Sequence, residues 1–347
     1  MSNQTYLQNR ILETDVCIIG AGPAGLFSVF ECGMLKMSCH VIDALDAIGG
    51  QLSALYPEKP IYDIPGFPKV LAADLVRDLE AQVAPFDPVY HLNQQVVTLV
   101  KYQDNRWLVE TSKGTRLNSG AVIIAAGVGA FGPNRPPLEG IEAFEGQGAG
   151  VGVHYLVKRR EDFQGKKVVI AGGGDSAVDW ALSLVDIAES LSIVHRRPKF
   201  RAAPDSADKL HKLADDGTID LVIPFQLAGL DGEDGKLSAV IVADLDGNER
   251  TLEADVLLPF FGLSQNIGPI ADWDLNLDHN YITVAQETMA TDKLGIFGIG
   301  DIITYPGKLK LIVNGFAEAA TAAHSARAHL HPGEEWHFEY STTKGIP

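Results

Sequence analysis

Apolar residues in this chain gather in short runs and in steps of three or four, with glycine- and proline-rich breaks between them. The run at 15–20 predicts a buried strand, and the spacing over 23–33 predicts a helix laid across it. "SCHVID", residues 38–43, reads as a second strand. Residues 49–69, "GGQLSALYPEKPIYDIPGFPK", mix glycine, proline and aromatics without a period. A loop of that length inside a domain is usually a working part. A helix over about 72–85, strands at 95–100 and 106–114, and a buried strand at 121–127 follow.

The dense glycine–proline segment 127–140 predicts a crossing between domains. Beyond it, "VVIAGGGDSAVDW" (168–180) opens a second strand–turn–helix unit that closes with a strand at 191–199. Apolar stretches at 219–225 and 237–262 read as antiparallel strands. A second irregular crossing at 262–269 leads to "KLGIFGIGD" (293–301), and a last helix spans about 315–330. Two crossings imply that one domain is inserted into another. The expected fold is α/β, with two Rossmann-like, three-layer ββα dinucleotide-binding domains. The first takes 1–131 and 266–347, and the inserted one takes 132–265.

The two glycine turns are an internal repeat. Setting Gly20 on Gly172 superposes strand, turn, helix and next strand without a gap, at a constant offset of 152 residues. The first unit reads Gly20-x-Gly22-x-x-Gly25, which allows a tight turn, close approach of a pyrophosphate and close helix–strand packing. The helix start then offers free N–H groups and a positive dipole end to phosphate. Asp43 ends the next strand, 23 residues after Gly20, where a carboxylate accepts hydrogen bonds from an unphosphorylated ribose.

The second unit reads Gly172-x-Gly174-x-x-Ala177, and 23 residues after Gly172 stand His195, Arg196 and Arg197. Guanidinium forks in place of a carboxylate suit a ribose that carries an extra phosphate. Arg201 joins them. Gly172, Gly174, Asp175, Ser176, His195, Arg196, Arg197 and Arg201 are therefore the candidate NADP residues. The first turn suits a dinucleotide without that phosphate, and FAD beside NADPH is the natural pairing. Asp301, closing "GIFGIGD", is placed to accept a hydrogen bond from a flavin's ribityl chain. The helix after Asn314 and Gly315 would aim its N-terminus at the flavin ring.

Acidic residues outnumber basic ones, 45 to 28, for a formal net charge of −17. That balance argues against a nucleic-acid partner, whose affinity rests on basic contacts to phosphate. The N-terminal residues lack the basic start and apolar run of a signal peptide, and no stretch suits a membrane span, so a cytoplasmic protein is expected. Cys17, Cys32 and Cys39 form no CxxC pair and read as reduced, buried side chains. No histidine has metal-ligand spacing, so no metal site is expected; His154 and His324 read as structural.

The stretches "GGQLSALYPEKPIYDIPGFP", "GGGDSAVDWA" and "HRRPKFRA" resemble the ferredoxin–NADP reductases of thioredoxin-reductase-like type, within the pyridine nucleotide–disulfide oxidoreductase superfamily. The resemblance runs from about residue 13 to the tail. It implies FAD contacts from Gly20, Gly22, Gly25, Asp43, Gln51, Tyr56, Val96 (through its backbone), Phe131, Asp301 and Thr342. Tyr56 would lie on one flavin face and Tyr340, from the tail, on the other. A homodimer is implied, in which that tail reaches the partner's flavin. Two departures stand out: Asp43 replaces the usual Glu, and Ala126 replaces a Thr.

The region before the second glycine turn, "GAGVGVHYLVKRREDFQG", holds no cysteine, so dithiol exchange through a resident pair is excluded. The implied activity is that of an FAD-dependent ferredoxin–NADP reductase, moving electrons between NADPH and ferredoxin or flavodoxin. Lys158, Arg159, Arg160, Lys308 and Lys310 are candidates for a basic docking face, and the two crossings for hinges. No side chain is assigned as a catalytic acid or base. A flavoenzyme reducing a quinone, oxygen or another small acceptor would share these motifs, as would a flavoprotein that senses NADPH.

Overall fold

The computed structural model describes residues 11–334 and 345, and for 130–133 and 263–265 the backbone alone. The chain divides into two compact units: Met1–Phe131 with Gln265–Pro347, and Gly132–Ser264.

In the first unit, a parallel sheet runs in the order Val89–His91, Cys39–Ile42, Ile11–Ile19, Arg116–Ile124. The last of these serves two partners. Its residues 116–119 pair antiparallel with Trp107–Thr111, which carries Val96–Lys101 on its far edge. Its residues 122–124 pair parallel with Ile296–Gly298. Val16, Cys17, Ile18, Val122 and Ile123 are fully buried at the centre. Each such aliphatic side chain contributes about 1.5–3 kcal/mol relative to exposure. The helices Pro23–Met34 and Ile312–Leu330 pack together over this sheet. All three cysteines are free and buried.

The second unit holds a five-stranded parallel sheet in the order Gly152–Val153, Val256–Pro259, Lys167–Ala171, Ser190–Val194, Asp220–Val222. An antiparallel meander of Gln226–Glu233, Lys236–Ala243 and Glu249–Glu253 stands beside it in sequence. This corrects the antiparallel reading of 219–225 and of the end of 237–262. Asp220–Val222 and Val256–Pro259 are parallel strands. The reason is visible in the burial: all four residues of Val256–Pro259 are buried, the continuous apolar run of a strand covered on both faces. The half-buried alternation that marks an antiparallel strand belongs to Lys236–Ala243.

The repeat holds at the boundaries that frame the turn. The first strands end at Ile19 and Ala171, the helices begin at Pro23 and Asp175, and the second strands end at Ile42 and Val194, each 152 apart. The same hydrogen bonds recur: Gly20 N–H to Ile42 C=O at 2.8 Å, and Gly172 N–H to Val194 C=O at 3.0 Å.

Candidate functional site

In the first unit the turn after Ile11–Ile19 is shaped by contact. Gly20 has φ +113°, and a β-carbon there would stand 2.3 Å from the Ala125 carbonyl oxygen. One on Gly25 would stand 1.9 Å from the Gly20 oxygen. Gly22 differs: nothing lies within 4 Å of where its β-carbon would be, and no side chain caps the helix it begins. Gly22, Pro23 and Ala24, at the start of Pro23–Met34, border open space, the arrangement a pyrophosphate fills.

That space is a cavity of about 420 Å³ lined by Gly20, Gly22, Asp43, Gln51, Tyr56, Val96 and Asp301 among others, with Ala126 at its wall. Seven of the residues expected around a dinucleotide are thus gathered in one place. Gly25 stands behind the wall as a packing residue. The Phe131 side chain, Tyr340 and Thr342 lie outside the described residues.

The Asp43 carboxylate is held on both oxygens. Oδ2 accepts the Ala21 N–H at 2.6 Å, and Oδ1 accepts the Leu45 N–H at 2.8 Å. Burial raises its pKa above the ordinary value, against the opposing pull of those two amides. Asp301 is likewise raised by burial, with Lys308 and Lys310 pulling the other way. Burial and the neighbouring Asp301 push the Tyr56 phenol up to about 12, so it stays protonated at neutral pH.

Behind Asp301 lies a cluster that the sequence reading did not include. The Glu318 carboxylate accepts the Gly300 N–H at 2.8 Å, the Tyr305 hydroxyl at 2.7 Å and the Lys308 ammonium at 2.5 Å. The Lys308 and Glu318 side chains are only 5% and 3% exposed. The signal was present in the helix pattern. Glu318 falls on the same stripe as Gly315, Ala319, Ala322 and Ala326, the small residues that this helix buries. The helix starts at Ile312 rather than near Gly315, and Gly315 sits in its first turn, where an added β-carbon would stand 3.1 Å from the Ala24 β-carbon.

The second unit repeats the design with other side chains. Nothing lies within 4 Å of where a β-carbon on Gly174 would be, and the helix Asp175–Leu184 begins without a side-chain cap. A cavity of about 560 Å³ is lined by Gly172, Gly173, Gly174, His195, Arg196, Arg197 and Arg201, with Phe225 and Phe260. The Arg201 N–H donates to the Gly173 carbonyl at 2.6 Å, which ties its loop to the turn. His195 stacks on Phe200 at 5.2 Å between centroids. Burial lowers its pKa, opposed by a backbone hydrogen bond at Lys199 and reinforced by Arg197, Arg196 and Arg201. Its Nε2 is buried with no hydrogen-bond partner among the described residues, a group left waiting for one.

Asp175 and Ser176 are exposed and do not line this cavity. Asp175 Oδ1 instead accepts the Ala203 N–H at 2.8 Å, at the start of the helix Pro204–Asp215. Of the residues expected on a basic face, Lys158, Arg159 and Lys310 are exposed. Lys308 is buried against Glu318, Arg159 pairs with Asp162 at 3.1 Å, and Arg160 pairs with Asp186 at 2.5 Å. Lys310 lies 3.6 Å from the centre of the Tyr281 ring. Burial withdraws Lys308 from such a face, while the Arg159 side chain stays 67% exposed.

The profile of the pyridine nucleotide-disulphide oxidoreductases matches residues 14–326. The chain belongs to this family. A ferredoxin–NADP reductase of Paramagnetospirillum magneticum is 63% identical over 96% of the chain and 98% of its own length. Another from Rhodospirillum rubrum is 60% identical over 98% of both. Among solved structures, the thioredoxin reductase of Lactococcus lactis superposes with a TM-score of 0.77 at 22% identity, covering 91% of this chain and 99% of that one. That of T. acidophilum gives 0.77 at 23%, covering 91% and 98%. The latter two establish the fold alone: two Rossmann-like α/β domains. No helix among the described residues is long and apolar enough to cross a membrane.

Proposed function

We propose that this chain is an FAD-dependent oxidoreductase that moves electrons between NADPH and ferredoxin, with FAD in the cavity of the first unit and NADP(H) in that of the second. The activity is supported by the relatives named ferredoxin–NADP reductase over nearly the whole chain. One observation carries the assignment of the two cavities: the repeated scaffold has Asp43 at the position where its copy has His195, followed by Arg196 and Arg197. A carboxylate repels a 2′-phosphate, and two guanidinium groups hold it.

In this reading the open amides at Gly22 take the pyrophosphate of FAD, Asp43 the ribose, and the Val96 backbone the adenine. Gln51, Tyr56 and Asp301 take the flavin half. Bound there, FAD supplies a ring that accepts hydride and releases single electrons. The chain supplies placement. Glu318 holds the Gly300 amide, and so sets where Asp301 presents its carboxylate. Tyr56 offers a neutral aromatic face, since its phenol does not ionise near pH 7. The residues 132–264 include no cysteine, so electrons leave without a resident dithiol. Flavodoxin as a second acceptor, and a homodimer whose tail brings Tyr340 to a flavin, are part of the same proposal. They rest on the resemblance of the 49–69 loop and the tail.

Anaerobic rapid mixing tests it. NADPH should bleach the flavin absorbance quickly, and reduced protein should then be reoxidised by ferredoxin far faster than by a quinone or oxygen. Fast reoxidation by the small acceptors with none by ferredoxin would contradict the acceptor. Absence of bleaching would leave a nucleotide-sensing flavoprotein instead.

A further inference from the structure

Gln94 lines the first cavity, yet the roles given above leave it unused. Its backbone N–H donates to the Asp43 carbonyl at 2.9 Å, and it stands two residues before Val96. Its side chain is held by one end. Oε1 accepts the Thr111 hydroxyl at 2.7 Å and the Thr115 hydroxyl at 2.7 Å. The Thr111 oxygen itself accepts the Thr115 N–H at 3.1 Å, which leaves its own hydrogen for Gln94. Thr111 is 2% exposed, so this anchor does not wander.

A carboxamide whose oxygen takes two hydroxyls turns its NH₂ the other way. Among the described residues that NH₂ has no protein hydrogen-bond partner, and it is not among the buried polar atoms left without one. It is an accessible donor, fixed in direction before any ligand arrives, on a residue that borders the cavity. Such preorganisation spares the ordering cost that a free glutamine incurs on binding.

We infer that Gln94 is a specificity-determining residue for the adenine base, its NH₂ donating to a ring-nitrogen acceptor, with Thr111 and Thr115 as positioning residues that act through it. This rests on the FAD reading of the cavity. In that reading Asp43 and Val96 serve the ribose and the adenine. Gln94 is hydrogen-bonded to the backbone of the first and nearly adjacent in sequence to the second.

The substitution Gln94→Glu isolates the donor, because it keeps an oxygen for both threonines and removes the NH₂. Apoprotein of wild type and variant is titrated with FAD and with FMN, which lacks the adenosine half, by quenching of flavin fluorescence. FAD affinity should fall roughly tenfold, as for loss of one buried hydrogen bond, while FMN affinity stays the same. Gln94→Met should show the same split without adding a charge, and Thr115→Val a smaller loss of the same kind. Wild-type apoprotein that does not take up FAD would overturn the reading of the cavity. Wild type that binds FAD, with both Gln94 variants binding it equally well, would overturn the role of Gln94 alone. Equal losses for FAD and FMN would overturn it too.

Discussion

A β-carbon added to Gly173 would stand 2.1 Å from Cε1 of His195. The equivalent pair in the first unit, 152 residues earlier, is Ala21 and Asp43, which meet through a hydrogen bond of 2.6 Å from the Ala21 N–H. The middle residue of each glycine turn is thus matched to the residue that ends the next strand. A carboxylate reaches the amide and leaves room for a methyl group; an imidazole lies against the turn and does not. The run of three glycines in the second unit is the footprint of His195.

Gly173→Ala should therefore displace His195 from its stack on Phe200. NADPH affinity should drop roughly two- to tenfold, the scale of a side chain pushed off its rotamer. FAD content should be unchanged. Titration of the holoprotein with NADP by difference spectroscopy checks this.

Glu318→Ala should be among the most damaging substitutions in the first unit. It strands a buried Lys308 ammonium and leaves the Gly300 amide and Tyr305 hydroxyl without their acceptor. Breaking a buried pair in this way costs about 3–5 kcal/mol. Glu318→Gln, which still accepts hydrogen bonds, should cost less. Urea unfolding of the two variants side by side checks this: Gln keeps one of the two acceptor oxygens, and equal losses would mean that the remaining acceptor contributes nothing.

His40 Nδ1 and His91 Nε2 lie 2.9 Å apart on neighbouring strands. Burial lowers both pKa values below the ordinary 6.5, and for His40 the neighbouring ring lowers it further. Below pH 6.5 the unfolded chain then binds more protons than the folded one. The stability tied to this pair is complete above that pH and is lost as pH falls toward the folded-state values. His195, His324 and His329 are shifted in the same direction, so the histidines together should lower thermal stability as pH falls below 6.5, against the opposite contribution of the raised Asp43 and Asp301 carboxyls. His40→Asn should make that slope shallower; an unaltered slope would remove the pair as a contributor.

Much of this architecture was legible in the sequence because it repeats. Strand, turn and helix recur at one offset, and the Asp43-to-His195 exchange stands out against that constancy. The strands at Asp220–Val222 and Val256–Pro259 were misread because a short apolar run does not state its direction; the partner strands do. Asp175 looked like a ligand by its place in the motif. The loop at Ala203 claims it, a contact 28 residues away that no local pattern encodes. Glu318 and Gln94 were missed for a related reason. Each owes its role to partners brought in by the fold: Gly300 and Lys308 for one, Thr111 and Thr115 for the other.

The central claim is that the exchange of Asp43 for His195, Arg196 and Arg197 assigns the two cavities to different nucleotides. Its most direct test is the rate of flavin bleaching by NADPH and by NADH, over a range of concentrations, in wild type and in Arg196→Ala/Arg197→Ala. Wild type should favour NADPH strongly. In the variant the half-saturating NADPH concentration should rise by roughly one to two orders of magnitude, while that for NADH and the bound FAD stay the same. A variant that keeps its preference for NADPH, or that weakens for both nucleotides alike, would contradict the assignment.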